Sequence, residues 1–252
     1  MMKLTKAVRT AIEKHAKAAA PNESCGLILM KGRRQAYLPC GNTAADPAET
    51  FEIAPEAWIA AEADGAEVVA VAHSHPNGEP FLSGADRQSQ RAVGLPYVLY
   101  TGGVFKVFRP CPHLRGRQFV YGKTDCAALV RDLYMLAGID APDHERTQID
   151  DDAADGRLMA HLIACGLTQI GRNRTLKAGD ILLTSYGSDA NHAAVYLGDG
   201  HIIHHEYNRL SRREPYTEMW QLRTHSVWRH PQWDEGCIEA VHADLNFMEG
   251  IS

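Results

Sequence analysis

The chain has 252 residues, 45% apolar and 23% charged, with 21 glycines, 12 prolines and six cysteines. That apolar content excludes wholesale disorder, and a net charge of −5 excludes the basic excess of a dedicated nucleic-acid partner. No run approaches the ~18 apolar residues of a membrane span, so no membrane insertion is expected.

The first segment, MMKLTKAVRTAIEKHAKAAAP, carries Lys or Arg at 3, 6, 9, 14 and 17. It has no uncharged stretch of the kind that export signals need, so synthesis in the cytoplasm without a signal peptide is expected. Leu4, Val8, Ala11 and Ile12 fall at helical spacing instead, and the helix should end before Pro21. SCGLILM and QAYLP flank Lys31-Gly32-Arg33-Arg34 as a hairpin would. Phe51-Glu52-Ile53 reads as a short strand, Pro55 to Asp64 as a short helix and Glu67 to Ser74 as a strand. Ser83 to Val93 reads as a helix, followed by strands at Tyr97–Thr101 and Val104–Phe108 around Gly102-Gly103. This half is a mixed α/β domain that closes near residue 108.

RPCPHLRGR, from Arg109 to Arg117, has the composition of a linker. Beyond it, Asp125 to Ala137 is helical and stops at Gly138, residues 140–156 read as a surface loop, and Leu158 to Cys165 as a second helix. Strands are expected at Asp180–Leu183, His192–Leu197, His201–Glu206 and Ser226–Arg229. Two domains follow, near 1–110 and 116–252. The six cysteines form no C-x-x-C pair and read as reduced thiols, with Cys25 and Cys165 in apolar runs that suit a core.

Two constellations carry chemistry. The first is His73-Ser-His75-Pro…Ser83-x-x-Asp86. Alternate residues at a strand end project from one face, and Pro76 then turns the chain. Ser83 and Asp86 are three apart at a helix start, on one side of it. Two imidazoles and a carboxylate suit Zn²⁺ and leave a fourth position for water. The water's proton needs a base, and Glu23, just before CGLILM, is the candidate. The plainer reading of Ser83-Gly-Ala-Asp86 is a helix capping box. The set resembles the JAMM (MPN-type) metallopeptidases over the first ~110 residues. That resemblance implies one zinc ion held by His73, His75 and Asp86, Glu23 as general base, Ser83 at the oxyanion, and cleavage of peptide or isopeptide bonds.

The second constellation centres on Cys126, the one cysteine at an expected helix N-terminus, where unpaired N–H groups favour thiolate. Its imidazole partners come from NHAAVYLGDGHIIHHEY. With Gly198-Asp199-Gly200 as the hairpin loop, Leu197 pairs with His201 and Ala194 faces His204. His204 is then the diagonal neighbour of His192, favouring His192 as base and His204 as orienter, unless a bulge at the glycines shifts the register. The plainer reading is two histidines on a solvated hairpin. Tyr121-Gly…Asp125-Cys126, Ala178-Gly-Asp180 and His192…Gly-Asp-Gly…His204 resemble the NlpC-type papain-like cell-wall peptidases across 116–230. This implies a Cys126–His192–His204 triad, with Tyr121 and Asp125 binding the free amine of a peptidoglycan stem peptide. Many members have Ser-Gly after the Asp-Cys pair, where this chain has Ala127-Ala128.

The resemblances together imply an α+β chain: a JAMM/MPN-like mixed α/β domain, then a papain-like NlpC-type domain. Their order resembles a phage tail-assembly family, which implies phage tail-tip proteins as partners, and an enzyme made in the host cytoplasm that a tail tip could carry to the wall. Two other readings stand beside this one: an assembly factor whose hydrolase folds serve as docking modules, and a cellular enzyme that trims a ubiquitin-like protein.

Overall fold

The computed structural model describes residues 2–63, 65–147, 156–171, 174–185, 187 and 189–249. The chain separates into two compact units, Met1–Cys111 and Pro112–Ser252.

In the first unit, helix α1 (Lys6–Ala19) is capped by the Thr5 side chain and buries Val8, Ile12 and Ala16. These pack on Ile28, Ala70, Ala72, Val98 and Val107 of the sheet. That stripe is the face set by the helical spacing of the sequence. Strands β1 (Cys25–Lys31) and β2 (Arg34–Cys40) form the hairpin, followed by α2 (Pro55–Ala63), β3 (Glu67–Ser74), α3 (Gly84–Val93), β4 (Tyr97–Thr101) and β5 (Val104–Phe108). The sheet order is β2-β1-β3-β4-β5. Only β3 and β4 are parallel, and α3 is their crossover. The carboxyl end of β3 therefore faces the N-terminus of α3, a usual place for ligands in sheets with crossovers. Gly26 is required in β1, because a Cβ there would sit 2.4 Å from the Leu38 carbonyl and 2.6 Å from the Tyr37 ring.

Phe51-Glu52-Ile53 does not form the expected strand; its one ladder contact is a bridge from Ile53 to Asn42. The Asn42 side chain replaces the missing ladder, accepting from the amides of Ala44 and Glu52 and donating to the carbonyls of Glu23 and Thr50. One amide group thus pins the loop that carries Glu23.

The second unit has α4 (Cys126–Leu136), α5 (Arg157–Ala164), β6 (Thr168–Ile170), β7 (Ile181–Thr184), β8 (His192–Gly198), β9 (His201–His204), β10 (Arg212–Pro215), α6 (Glu218–Arg223), β11 (Thr224–Arg229) and α7 (Cys237–Glu249). Its sheet runs β10-β9-β8-β7-β11-β6, with every pair antiparallel. Helix α4 packs on β8 and α7. Gly179 has φ +90°, and a Cβ there would lie 2.1 Å from the Trp233 ring. No sequence signal anticipated β6, β10, α6 or α7. Of the expected loop at 140–156, residues 148–155 lie outside the described residues.

Of the segment expected to be a linker, Pro112–Arg117 is a structural part of this unit. Leu114 is fully buried. Arg117 donates to Asp132 Oδ2 at 2.7 Å and to the carbonyls of His113 and Pro112. Asp244 of α7 contacts His113 Nδ1 and accepts from the Leu114 amide, both at 2.8 Å. Its prolines and arginines look like linker chemistry only until their partners far along the chain are seen.

Candidate functional site

At the end of β3, His73 and His75 stand side by side, their Nε2 atoms 3.2 Å apart. Asp86 Oδ2 completes a triangle, 3.4 Å from His73 Nε2 and 3.2 Å from His75 Nε2. All three residues are buried. Ligands about 2.0–2.1 Å from a tetrahedral zinc ion stand roughly 3.3–3.4 Å from one another, so these atoms fit three corners of such a site. His75 Nδ1 lies 3.1 Å from the Glu79 carbonyl, which keeps the proton on Nδ1 and leaves the Nε2 lone pair facing the triangle. Phe51 stacks on His73 at 4.6 Å and fixes the ring plane. Among the described residues, His73, His75 and Asp86 are the one group of histidine, cysteine or acidic side chains with metal-binding geometry.

The capping-box reading and the ligand reading of Ser83-x-x-Asp86 both hold. Ser83 accepts from the Asp86 amide, and Asp86 accepts from the Ser83 amide at 2.8 Å. The Ser83 hydroxyl donates to Asp86 Oδ2 at 2.8 Å. Burial opposes the charged Asp86, but His73 and His75 outweigh it and hold its carboxyl well below the usual range. Glu23 reaches the same place, with Oε1 3.7 Å from His75 Nε2 and Oε2 buried without a hydrogen-bond partner. Burial pushes its pKa up to about 7, with His75 opposing the rise. Glu23, His75 and Ser83 line a cavity of about 120 Å³ with Glu49 and Glu79.

In the second unit, Cys126 opens α4, and Asp125 is the N-cap, accepting from the Ala128 amide. Cys126, Tyr121 and His192 line a cleft of about 340 Å³ with Asn191, Tyr207 and Arg209. The β8–β9 hairpin pairs Ala194 with His204 as the spacing predicts, while His201 pairs with Gly198 and not Leu197, because a bulge falls between Tyr196 and Gly198. His204 Nδ1 lies 3.3 Å from His192 Nε2, with the rings edge to face.

Two features depart from expectation. The helix N-terminus does not leave a thiolate at Cys126: burial pushes the thiol up to about 12, and the Asp125 carboxylate adds to the rise. Burial and then His204 push His192 down to about 3, so the resting pair is neutral. Asp125, expected to meet a substrate amine, is fully engaged: Oδ2 accepts from the Gly122 amide and from Arg146 Nε, both at 2.7 Å, and its side chain has no exposed surface. Sequence reasoning missed Arg146 and Glu214. Glu214 Oε1 lies 3.3 Å from His204 Nε2. Its neighbour Arg212 pairs with His204 across the sheet, so recognising β10 would have put Glu214 on the His204 face.

Residues 5–111 match the family of prokaryotic homologs of the JAB domain, and residues 116–229 match the NlpC/P60 family. The chain is 46% identical over 196 residues to the tail tip assembly protein K of Escherichia phage lambda, covering 77% of this chain and 96% of that protein. It is 33% identical over 228 residues to the protein K of Escherichia phage N15, covering 87% and 93%. A desampylase of Haloferax volcanii is 31% identical over 102 residues, 36% of this chain and 73% of that protein. With a JAB-like unit followed by an NlpC/P60 unit, and that similarity over nearly the whole of two phage proteins, the chain belongs to the family of phage tail tip assembly proteins K.

Proposed function

We propose that this chain is a tail-tip protein with two peptidase sites: a zinc-dependent peptidase or isopeptidase within residues 1–110 and a cysteine endopeptidase for peptidoglycan stem peptides within 116–252. The observation that carries this reading is the convergence of two separate hydrolytic sets, His73, His75 and Asp86 with Glu23, and Cys126 with His192 and His204. Tail-tip proteins are the proposed partners, and a tail tip offers a route to the wall.

In the first site, zinc bound by His73, His75 and Asp86 would supply Lewis acidity towards water and the scissile carbonyl. Glu23, with a pKa near 7, can accept a proton from water and return it to the leaving amine. The Ser83 hydroxyl faces the same cavity and could turn from Asp86 to an oxyanion. The likeness of this unit to a desampylase supports a peptidase or isopeptidase here.

In the second site, His192 takes the Cys126 proton as Sγ attacks the amide carbon. His192 then gives that proton to the departing amine, leaving a thioacyl-enzyme. Water, deprotonated by His192, hydrolyses the thioester and restores the thiol.

The docking-module reading has one observation in its favour, the neutral resting state of Cys126 and His192. Digestion of purified sacculi with wild type, Cys126→Ala and His73→Ala, with products identified by mass spectrometry, separates the two. Muropeptide cleavage that only Cys126→Ala abolishes is the expected result. No cleavage by wild-type protein, together with no bound zinc, would favour the docking reading.

A further inference from the structure

The His192–His204 contact poses a question of polarity. A neutral imidazole carries one N–H and one lone pair, so only one of the two facing nitrogens can donate. His204 Nδ1 and His192 Nε2 are 3.3 Å apart, and the His204 ring is fully buried. If the proton between them belongs to His204, His192 keeps its own proton on Nδ1 and cannot accept one from Cys126 there. If it belongs to His192 Nε2, Nδ1 is the basic nitrogen.

We propose that Glu214 is a positioning residue that decides this polarity, a proposal that rests on the peptidase reading of the second site. His204 Nε2 is buried and makes no aligned hydrogen bond, and Glu214 Oε1 lies 3.3 Å from it. A carboxylate only accepts, so it favours the proton on His204 Nε2. His204 Nδ1 must then accept, and His192 Nε2 must donate. The lone pair of His192 is thereby left on Nδ1, two rings away from the charge that fixes it.

Glu214 is itself held so that it can do nothing but accept. Trp220 Nε1 donates to Oε1 at 2.6 Å and Arg212 Nε to Oε2 at 2.8 Å. The Trp220 ring meets His204 edge to face at 4.6 Å and confines its plane. Burial opposes ionisation of Glu214, but His204, Arg212 and Trp220 outweigh it and hold its pKa below the ordinary value. The other charges near the two rings are Arg212 and its partner Glu206, with His205 adjacent in the chain. A glutamine at 214 would have to turn its NH2 towards the Trp220 or the Arg212 donor, so shape alone cannot replace the charge.

The test uses the full chain labelled with ¹⁵N. Imidazole nitrogen shifts report the tautomers of His192 and His204, and iodoacetamide alkylation, corrected with Cys126→Ala, reports thiolate formation at Cys126 against pH. Wild type should carry the proton on Nε2 of both rings. Glu214→Gln should mix the tautomers and slow alkylation at neutral pH by roughly 10- to 100-fold, the range seen when the partner that orients a metal-ligating histidine is removed. Glu214→Asp, which keeps the charge, should recover most of the rate. A proton on Nδ1 of His204 in wild type overturns the proposal, as does a Glu214→Gln protein with unchanged tautomers and rate. If Glu214→Gln does not fold, the wild-type tautomers and the Glu214→Asp rate decide. Neither readout needs a peptide substrate, so failure to cut peptidoglycan counts against the peptidase reading, whereas unchanged tautomers and rate count against Glu214.

Discussion

The two sites prepare for chemistry in opposite ways. At the end of β3, burial has gathered charge: Asp86 is held ionised by two imidazoles, with Glu23 beside them. At the start of α4, burial has removed it, leaving a neutral thiol and a neutral imidazole. The residues of both sites are buried, so burial alone does not set protonation. The difference lies in the partners. A carboxylate flanked by imidazoles keeps its charge, whereas a thiol beside Asp125 is discouraged from ionising. The first arrangement suits a cation, and the second suits a proton that moves only as the nucleophile attacks.

The sharpest way to break this comparison is to remove one partner from each site. His75→Ala should abolish stoichiometric zinc in metal analysis while Cys126 alkylation is unchanged, and Cys126→Ala should do the reverse. Loss of both properties in either variant would show that the sites are not independent.

Next in size is Arg117→Ala. It removes the guanidinium from a buried ion pair with Asp132 and should cost about 3–5 kcal/mol in denaturant unfolding of the second unit. Zinc stoichiometry should be unaffected.

The neutral state of His192 predicts an acid weakness. Its folded pKa, about 3, lies below the ordinary 6.5, so the unfolded chain binds the extra proton between those values. Its contribution is intact above pH 6.5 and is lost as pH falls towards 3. Between pH 7 and pH 5 the loss should be about 2 kcal/mol. Urea midpoints of wild type should fall over that range more steeply than those of His192→Gln, and equal slopes would refute the assignment.

The smallest effect tests the dual use of Asp86. Ser83→Ala should cost ~1 kcal/mol through the lost cap. Asp86→Asn keeps a cap-compatible side chain, so it should weaken zinc binding measured by competition with a chelator while changing thermal stability less than Ser83→Ala does.

Much of the first site could be read locally. His73 and His75 share a strand face, Ser83 and Asp86 share a helix start, and short-range periodicity decides both. Glu23 lies 50 residues from His73, and its placement needed the Asn42 side chain, which no local pattern announces. The β8–β9 hairpin was readable except for one bulge, and the bulge left the Ala194–His204 pairing intact. Glu214 is hidden because Arg-Arg-Glu-Pro has no apolar alternation to mark a strand, although charge and proline also suit an edge strand, which β10 is. Arg109–Arg117 was misread for a related reason. His113, Leu114 and Arg117 within it are held by Asp132, Asp244 and Ser211, 15 to 131 residues away, beyond the reach of any window of neighbouring residues.

The clasp of His113 and Leu114 on Asp244 joins the first and last segments of the second unit. The NlpC/P60 match spans residues 116–229 and so leaves out both halves of it. A fragment trimmed to that span would keep Cys126, His192, His204 and Glu214, yet lose the tie between the ends of the unit. Trimming from either terminus has the same consequence: removing α7 unpins Leu114, and removing the segment before Gly116 unpins α7. The two ends behave as a single closure, so proteolysis at one should expose the other.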